Sequence, residues 1–196
     1  MHHLVPGEGL RDGARRAEQG HCMGDRDDLK AHFLEGMSRA AASVSVVTTD
    51  GPAGRGGVTV SAMTSISADG DAPTMLTCLN ASASALPQIL ENGCFCINVL
   101  RTGQTDISDV FSSRRPPPGG DKFNAVEVTT MATGAPVLSE ALVSFDCTLI
   151  SADRHGTHHI CIGAVEAVRV APEGDPLLYG MRQYLRAEAH EGEDGA

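Results

Sequence analysis

The spacing of hydrophobic and polar residues changes period several times along the chain, and each change predicts an element. From Asp27 or Asp28, the residues Leu29, Phe33, Met37 and Ala41 recur at fourfold spacing, which puts them on one face of a helix capped by an aspartate. "SVSVVTT" (43–49) alternates β-branched and small residues, the period of a strand. "DGPAGRGG" (50–57) is a turn-rich loop. "VTVSAM" and "TMLTCLN" predict two more strands, separated by the polar "SADGDAP". "SALPQILENG" (84–93) predicts a short helix with Ser84 at its cap, Pro87 in its first turn and Gly93 just past its end. "CFCINVL" reads as a fully buried strand, Gln104 to Phe111 as a helix, and "SSRRPPPGGDKF" (112–123) as a loop. The longest strand pair is "ALVSFDCTLISA" with "HHICIGAVEAVRV", joined across "DRHGT".

Many strands with few, short helices predict a mainly β fold, an antiparallel barrel decorated by helices. Residues 1–26 read as a flexible arm, 27–187 as one domain and 188–196 as an acidic, disordered tail. Of 196 residues, 41% are hydrophobic but only 4% aromatic, with no Trp, so Val, Ile, Leu, Met and Ala must fill the core. The formal charge of −10 argues against nucleic-acid or anionic-membrane partners, which need basic surface. No signal peptide and no membrane-length apolar run is visible, and the six cysteines form no CxxC pair, so the expected location is a reducing cytoplasm. "GRGGVT" fails the dinucleotide spacing at its third glycine, and no P-loop occurs.

Three stretches could carry chemistry. "DRHGTHHICIG" (153–163) holds His155, His158 and His159. Neighbours on a strand point to opposite faces, so His158 and His159 cannot chelate one ion together, and no tetrahedral set is completed nearby. No metal is expected; a polar turn stands as the alternative reading, above all for His155. "CLNASASALPQILENG" runs from Asn80 through Ser82 and Ser84 into a helix, where hydroxyls and free N–H groups would cradle a phosphate. The alternative there is that Ser84 only caps the helix. "GVTVSAMTSIS" offers small residues against which a flat ring could lie.

In order, "GVTVSAMTSIS", "PTMLTCLNASAS", "NGCFCINVL", "DKF" and "GTHHICIGAV" resemble the short-chain flavin reductases of the FMN-binding split-barrel family. That family includes the reductase components of two-component phenol and 4-hydroxyphenylacetate hydroxylases. The resemblance spans about 29–185. It implies a split β-barrel, a homodimer, hydride transfer from NADH or NADPH to FMN or FAD, and a partner monooxygenase that receives the reduced flavin. It places the flavin ring against Val60, Ser61, Ala62, Met63 and Thr64, and its ribityl chain and phosphate near Asn80, Ala81, Ser82 and Ser84. It adds Lys122 and Phe123 of "DKF", and Tyr179 and Arg182 of "PLLYGMRQY". It makes His158 the catalytic histidine near the meeting of nicotinamide and flavin, with His159 as the substitute. Arg114, Arg115 and Lys122 are the next candidates for the phosphate. Other readings are a flavin- or haem-binding split barrel without turnover, and a reductase of a cobalt corrinoid or iron.

Overall fold

The computed structural model describes residues 22–189. Helix α1, Cys22–Arg39, begins ahead of the predicted Asp27, so 22–26 belong to the helix rather than to an arm. Acidic residues suit the first turns of a helix as well as its cap, which is why the cap signal misplaced the start. The helix ends before Ala41; Leu29, Phe33 and Met37 are all exposed on it. The rest of the predicted arm, 1–21, and the tail from 190 lie outside the described residues. The described residues up to Ala40 form one unit and those from Ala41 a second.

The second unit is a sheet protein. Its elements are β1 (Ala42–Ser43), β2 (Ser45–Thr49), β3 (Gly56–Val60), β4 (Met63–Ser67), β5 (Thr74–Asn80), α2 (Ala85–Asn92), β6 (Cys94–Val99) and α3 (Thr105–Phe111). After two 3-10 turns, Pro118–Gly120 and Lys122–Ala125, come β7 (Val128–Thr130), β8 (Pro136–Leu138), β9 (Val143–His155), β10 (His158–Val170), β11 (Leu177–Gly180) and β12 (Gln183–Arg186). The main sheet has seven antiparallel strands in the order β3-β2-β6-β9-β10-β5-β4. Its two edge strands, β3 and β4, are joined by Ser61 and Ala62 alone. Such a link spans about 10 Å of chain, so the sheet must curl until its edges nearly meet, the closure of a barrel.

Three predicted boundaries are corrected. The 43–49 strand divides at Val44, because β1 pairs with β11 while β2 pairs with β3 and β6. "VTVSAM" is not one strand: it breaks at Ser61–Ala62, where the chain passes from one sheet edge to the other. The turn after β9 is only Gly156–Thr157, since pairing persists out to His155 and His158.

Among the described residues two large clusters fill most of the interior, beside a smaller one of Cys94, Cys96, Ala135 and Val137. One lies within the barrel and includes Val47, Leu79, Ile89, Phe95, Ile97 and Cys161. The other joins Val44, Val46, Leu100, Phe111, Phe123 and Leu138. Adjacent residues of β2 enter different clusters, so that strand is buried on both faces. β6 is buried throughout, as its unbroken apolar run predicts. Burying a side chain the size of Phe95 contributes about 1.5–3 kcal/mol. Its one amide, Asn98, is satisfied: Oδ1 accepts from Leu138 N at 3.0 Å and Ser144 Oγ at 2.9 Å. Gly163 of β10 has no room for a side chain, since a Cβ there would come within 2.6 Å of the Phe95 ring.

Candidate functional site

The tip of β10 meets the end of β5. His158 pairs with Asn80 and His159 with Leu79. The strand alternation therefore separates the histidines as the sequence predicts. His158 is exposed, its Nδ1 3.1 Å from Thr157 Oγ1. His159 is half-buried, and its Nδ1 is enclosed without a hydrogen-bond partner. Ala81 N donates to Thr157 O at 2.8 Å, which fixes the start of the serine-rich turn beside the hairpin. Asn80 Oδ1 accepts from both the N–H and the hydroxyl of Ser82, at 2.9 and 2.8 Å. The Ser82 hydroxyl is thus turned back onto its own strand end.

Ser84 goes elsewhere. It stands at the N-cap of α2 but makes no side-chain capping bond, contrary to the cap reading, because its backbone is already helical at φ −61°, ψ −26°. It lines a cavity of about 390 Å³ with Arg55, Gln88, Asp121, Lys122 and Phe123, floored by Gly56 and Gly57. Gly57 is dictated by space, since a Cβ there would meet the Phe111 ring at 2.5 Å; one on Gly56 would meet first the end of the Gln88 side chain, at 2.0 Å. Lys122 donates to Phe111 O at 2.9 Å and to Gly57 O at 3.4 Å, and burial lowers its pKa. Arg55 pairs with Asp121 at 3.1 Å, its Cζ 4.4 Å from the centre of the Phe123 ring.

A smaller cavity of about 150 Å³ gathers Val60, Ser61, Ser108, Arg114, Tyr179 and Tyr184. Arg114 stacks over the Tyr179 ring at 5.3 Å, and the hydrogen bond to that tyrosine raises its pKa. Tyr184 donates to Asp109 Oδ1 at 2.7 Å; burial raises its pKa. Ala62, between the edge strands, accepts from Thr77 Oγ1 and Cys78 N at 3.1 and 3.0 Å. Met63 and Thr64 open β4, and Arg182 lies in the β11–β12 turn at φ +61°, lining neither cavity.

Most of the predicted residues thus fall in three groups, the His158–Ser82 tip, the Ser84–Lys122 cavity and the Val60–Tyr179 cavity, while Ala62, Met63, Thr64 and Arg182 line neither cavity. Arg55, Gln88, Asp121 and Tyr184 escape sequence reasoning. The one signal for Arg55 is its place beside the glycines of a loop that enters a strand. The larger cavity has the chemistry of an anion site, with two cations against one carboxylate and a hydroxyl that makes no capping bond. Among the described residues no group of three or more His, Cys, Asp or Glu could hold a metal ion, and no helix is long and apolar enough to cross a membrane.

Known proteins give this architecture a family. Residues 37–188 match the flavin reductase like domain. The chain is 42% identical over 155 residues to FMN reductase (NADH) RutF 1 of Methylorubrum extorquens, covering 79% of this chain and 75% of that one. Its fold superposes on BorF, the flavin reductase component of a bacterial two-component tryptophan halogenase, with TM-score 0.70, 30% identity and coverage of 85% and 100%. It is also similar to nitrilotriacetate monooxygenase component B from Mycobacterium thermoresistibile, with TM-score 0.74, 25% identity and coverage of 86% and 96%. The antiparallel closed sheet, the ordered motifs and the match across most of the chain agree, and the protein belongs to the flavin reductase like domain family.

Proposed function

We propose that the chain is an NADH-dependent flavin reductase that supplies reduced FMN to a separate flavin-dependent monooxygenase. The observation that carries this reading is the Ser84–Lys122 cavity, an anion-suited pocket of about 390 Å³ in a chain 42% identical to an enzyme named for NADH and FMN. Val60 to Thr64 would face the flavin ring, with Asn80, Ala81 and Ser82 along the ribityl chain. Ser84 and the turn that carries Lys122 and Phe123 would frame the phosphate end, and Tyr179 and Arg182 would close the site.

Bound flavin supplies the hydride acceptor; the chain's task is to align two rings and exclude water. Ser61 and Ala62 present small side chains and backbone at the sheet junction, so a planar group can approach closely. His158, exposed and hydrogen-bonded at Nδ1 to Thr157, would keep Nε2 for the ligand as a donor or, when protonated, as a positive charge. Flavin exchanges at each turnover, as supply of reduced flavin to a separate monooxygenase requires. The working form is a homodimer, for which exposed Ile150, Val168 and Val170 supply apolar surface. Among the described residues Cys78, Cys94, Cys96, Cys147 and Cys161 are free thiols, which suits a reducing cytoplasm.

The test is a matrix of NADH or NADPH against FMN, FAD and riboflavin, followed by loss of reduced nicotinamide, with light scattering for the dimer. FMN with NADH should turn over fastest. A rate no higher than that without protein, for every flavin, would overturn the reading.

A further inference from the structure

We infer that Arg55, rather than Lys122, is the cation that reads the flavin's phosphate in the larger cavity, an assignment that rests on the function proposed above. The sequence motif points to Lys122, but geometry gives that residue another task. Its ammonium is directed at the carbonyls of Phe111 and Gly57, so it ties the end of α3 and the start of β3 to the turn that carries it. An ammonium has three donors and needs a water or ligand only for the third.

Arg55 is built the other way. Its guanidinium has five N–H donors in one plane, and the structure commits one edge of it to Asp121 Oδ2 at 3.1 Å. Phe123 covers one face. The side chain is 39% exposed, so the remaining donors are open at the cavity. Both supports are fixed by one turn: Asp121 Oδ1 accepts from Phe123 N at 2.9 Å, so the carboxylate and the ring cannot move independently. From behind, Gln88 Nε2 donates to Arg55 O at 3.3 Å and anchors the backbone to α2, the helix that Ser84 opens. A guanidinium held flat, with its outer donors unspent, matches two phosphate oxygens at once in a way a tethered ammonium does not.

The phosphate could belong to flavin mononucleotide or to the nicotinamide nucleotide, and the geometry favours the flavin because Ser84 lines the same cavity. The experiment uses the full chain and oxidised FMN and riboflavin, titrated by flavin fluorescence, in the native protein, Arg55→Ala, Arg55→Lys and Lys122→Met. Native protein should prefer FMN. Arg55→Ala should weaken FMN about 10- to 100-fold, the scale of charge-assisted hydrogen bonds, and leave riboflavin unchanged. Arg55→Lys should recover part of the loss, and Lys122→Met should shift both flavins alike while lowering Tm. In turnover with riboflavin as acceptor, Arg55→Ala should leave KM for NADH unaltered; a raised KM there with FMN binding intact would move Arg55 to the nicotinamide and overturn the assignment. So would a native protein that does not distinguish FMN from riboflavin, or a preference that survives Arg55→Ala. Arg55-dependent preference for FMN without NADH oxidation would leave Arg55 standing and remove the reductase reading instead.

Discussion

Strand β10 has one alternation and two environments. At its centre Cys161 and Val165 belong to the barrel's buried cluster, and Gly163 between them leaves space that the Phe95 ring fills. At its tip the same alternation leaves His158 exposed and His159 half-buried. Periodicity says which side chains share a face. It does not say what that face meets, and here the answer changes within five residues, from packed ring to open hairpin. The centre should therefore answer to stability and the tip to turnover.

The largest effect should come from filling the centre. Gly163→Val places branched carbon where a Cβ already lies 2.6 Å from Phe95 and 2.8 Å from Cys147. It should cost about 3 kcal/mol or prevent folding, read from the denaturant midpoint. A variant as stable as the native protein would mean that the ring and the thiol move aside freely.

Alkaline pH tests the same centre more gently. Burial pushes the Cys147 thiol up to about 12 and the Cys161 thiol up to about 11, from an ordinary 9.0. The fold thus favours the neutral thiols, while the unfolded chain releases those protons near pH 9. Their contribution is intact below pH 9 and falls as pH climbs through about 11 and 12. Thermal melts between pH 8 and 11 should show a decline that flattens when Cys147 and Cys161 are replaced by Ala; an equal slope in the variant would place the titration elsewhere.

At the tip, His158→Ala should lower kcat/KM for NADH about 10- to 100-fold, or about 1.4–2.7 kcal/mol, with an unchanged unfolding midpoint. His155→Ala and His159→Ala should cost much less. Silence at His158 with collapse at His159 would put the reacting face of β10 on its inner side.

The strands were legible where periodicity and burial agree. "TMLTCLN" is β5 residue for residue, and "CFCINV" is β6 with every position buried. Gly93 closes α2 in the left-handed region, as its position promised. The sheet-edge crossing at Ser61–Ala62 was not legible, because small and β-branched residues read alike in a strand and at a barrel corner. Nor was the larger cavity, since Arg55, Ser84 and Lys122 come from three distant segments and only the closed sheet brings them together. Ser82 and Ser84 look equivalent in the sequence; Asn80 separates them by claiming one hydroxyl.

The position of β10 in the sheet also sets an order of events during synthesis. It pairs with β9 on one side and β5 on the other. A ribosome delivers β5 long before β10, so the inner edge of the β4–β5 hairpin must wait, unpaired, while residues 81–157 emerge. An exposed edge of that kind is where nascent chains join one another. The last long strand to be made is thus the one that removes it, and a chain halted before β10 would carry both halves of the barrel with no seam between them.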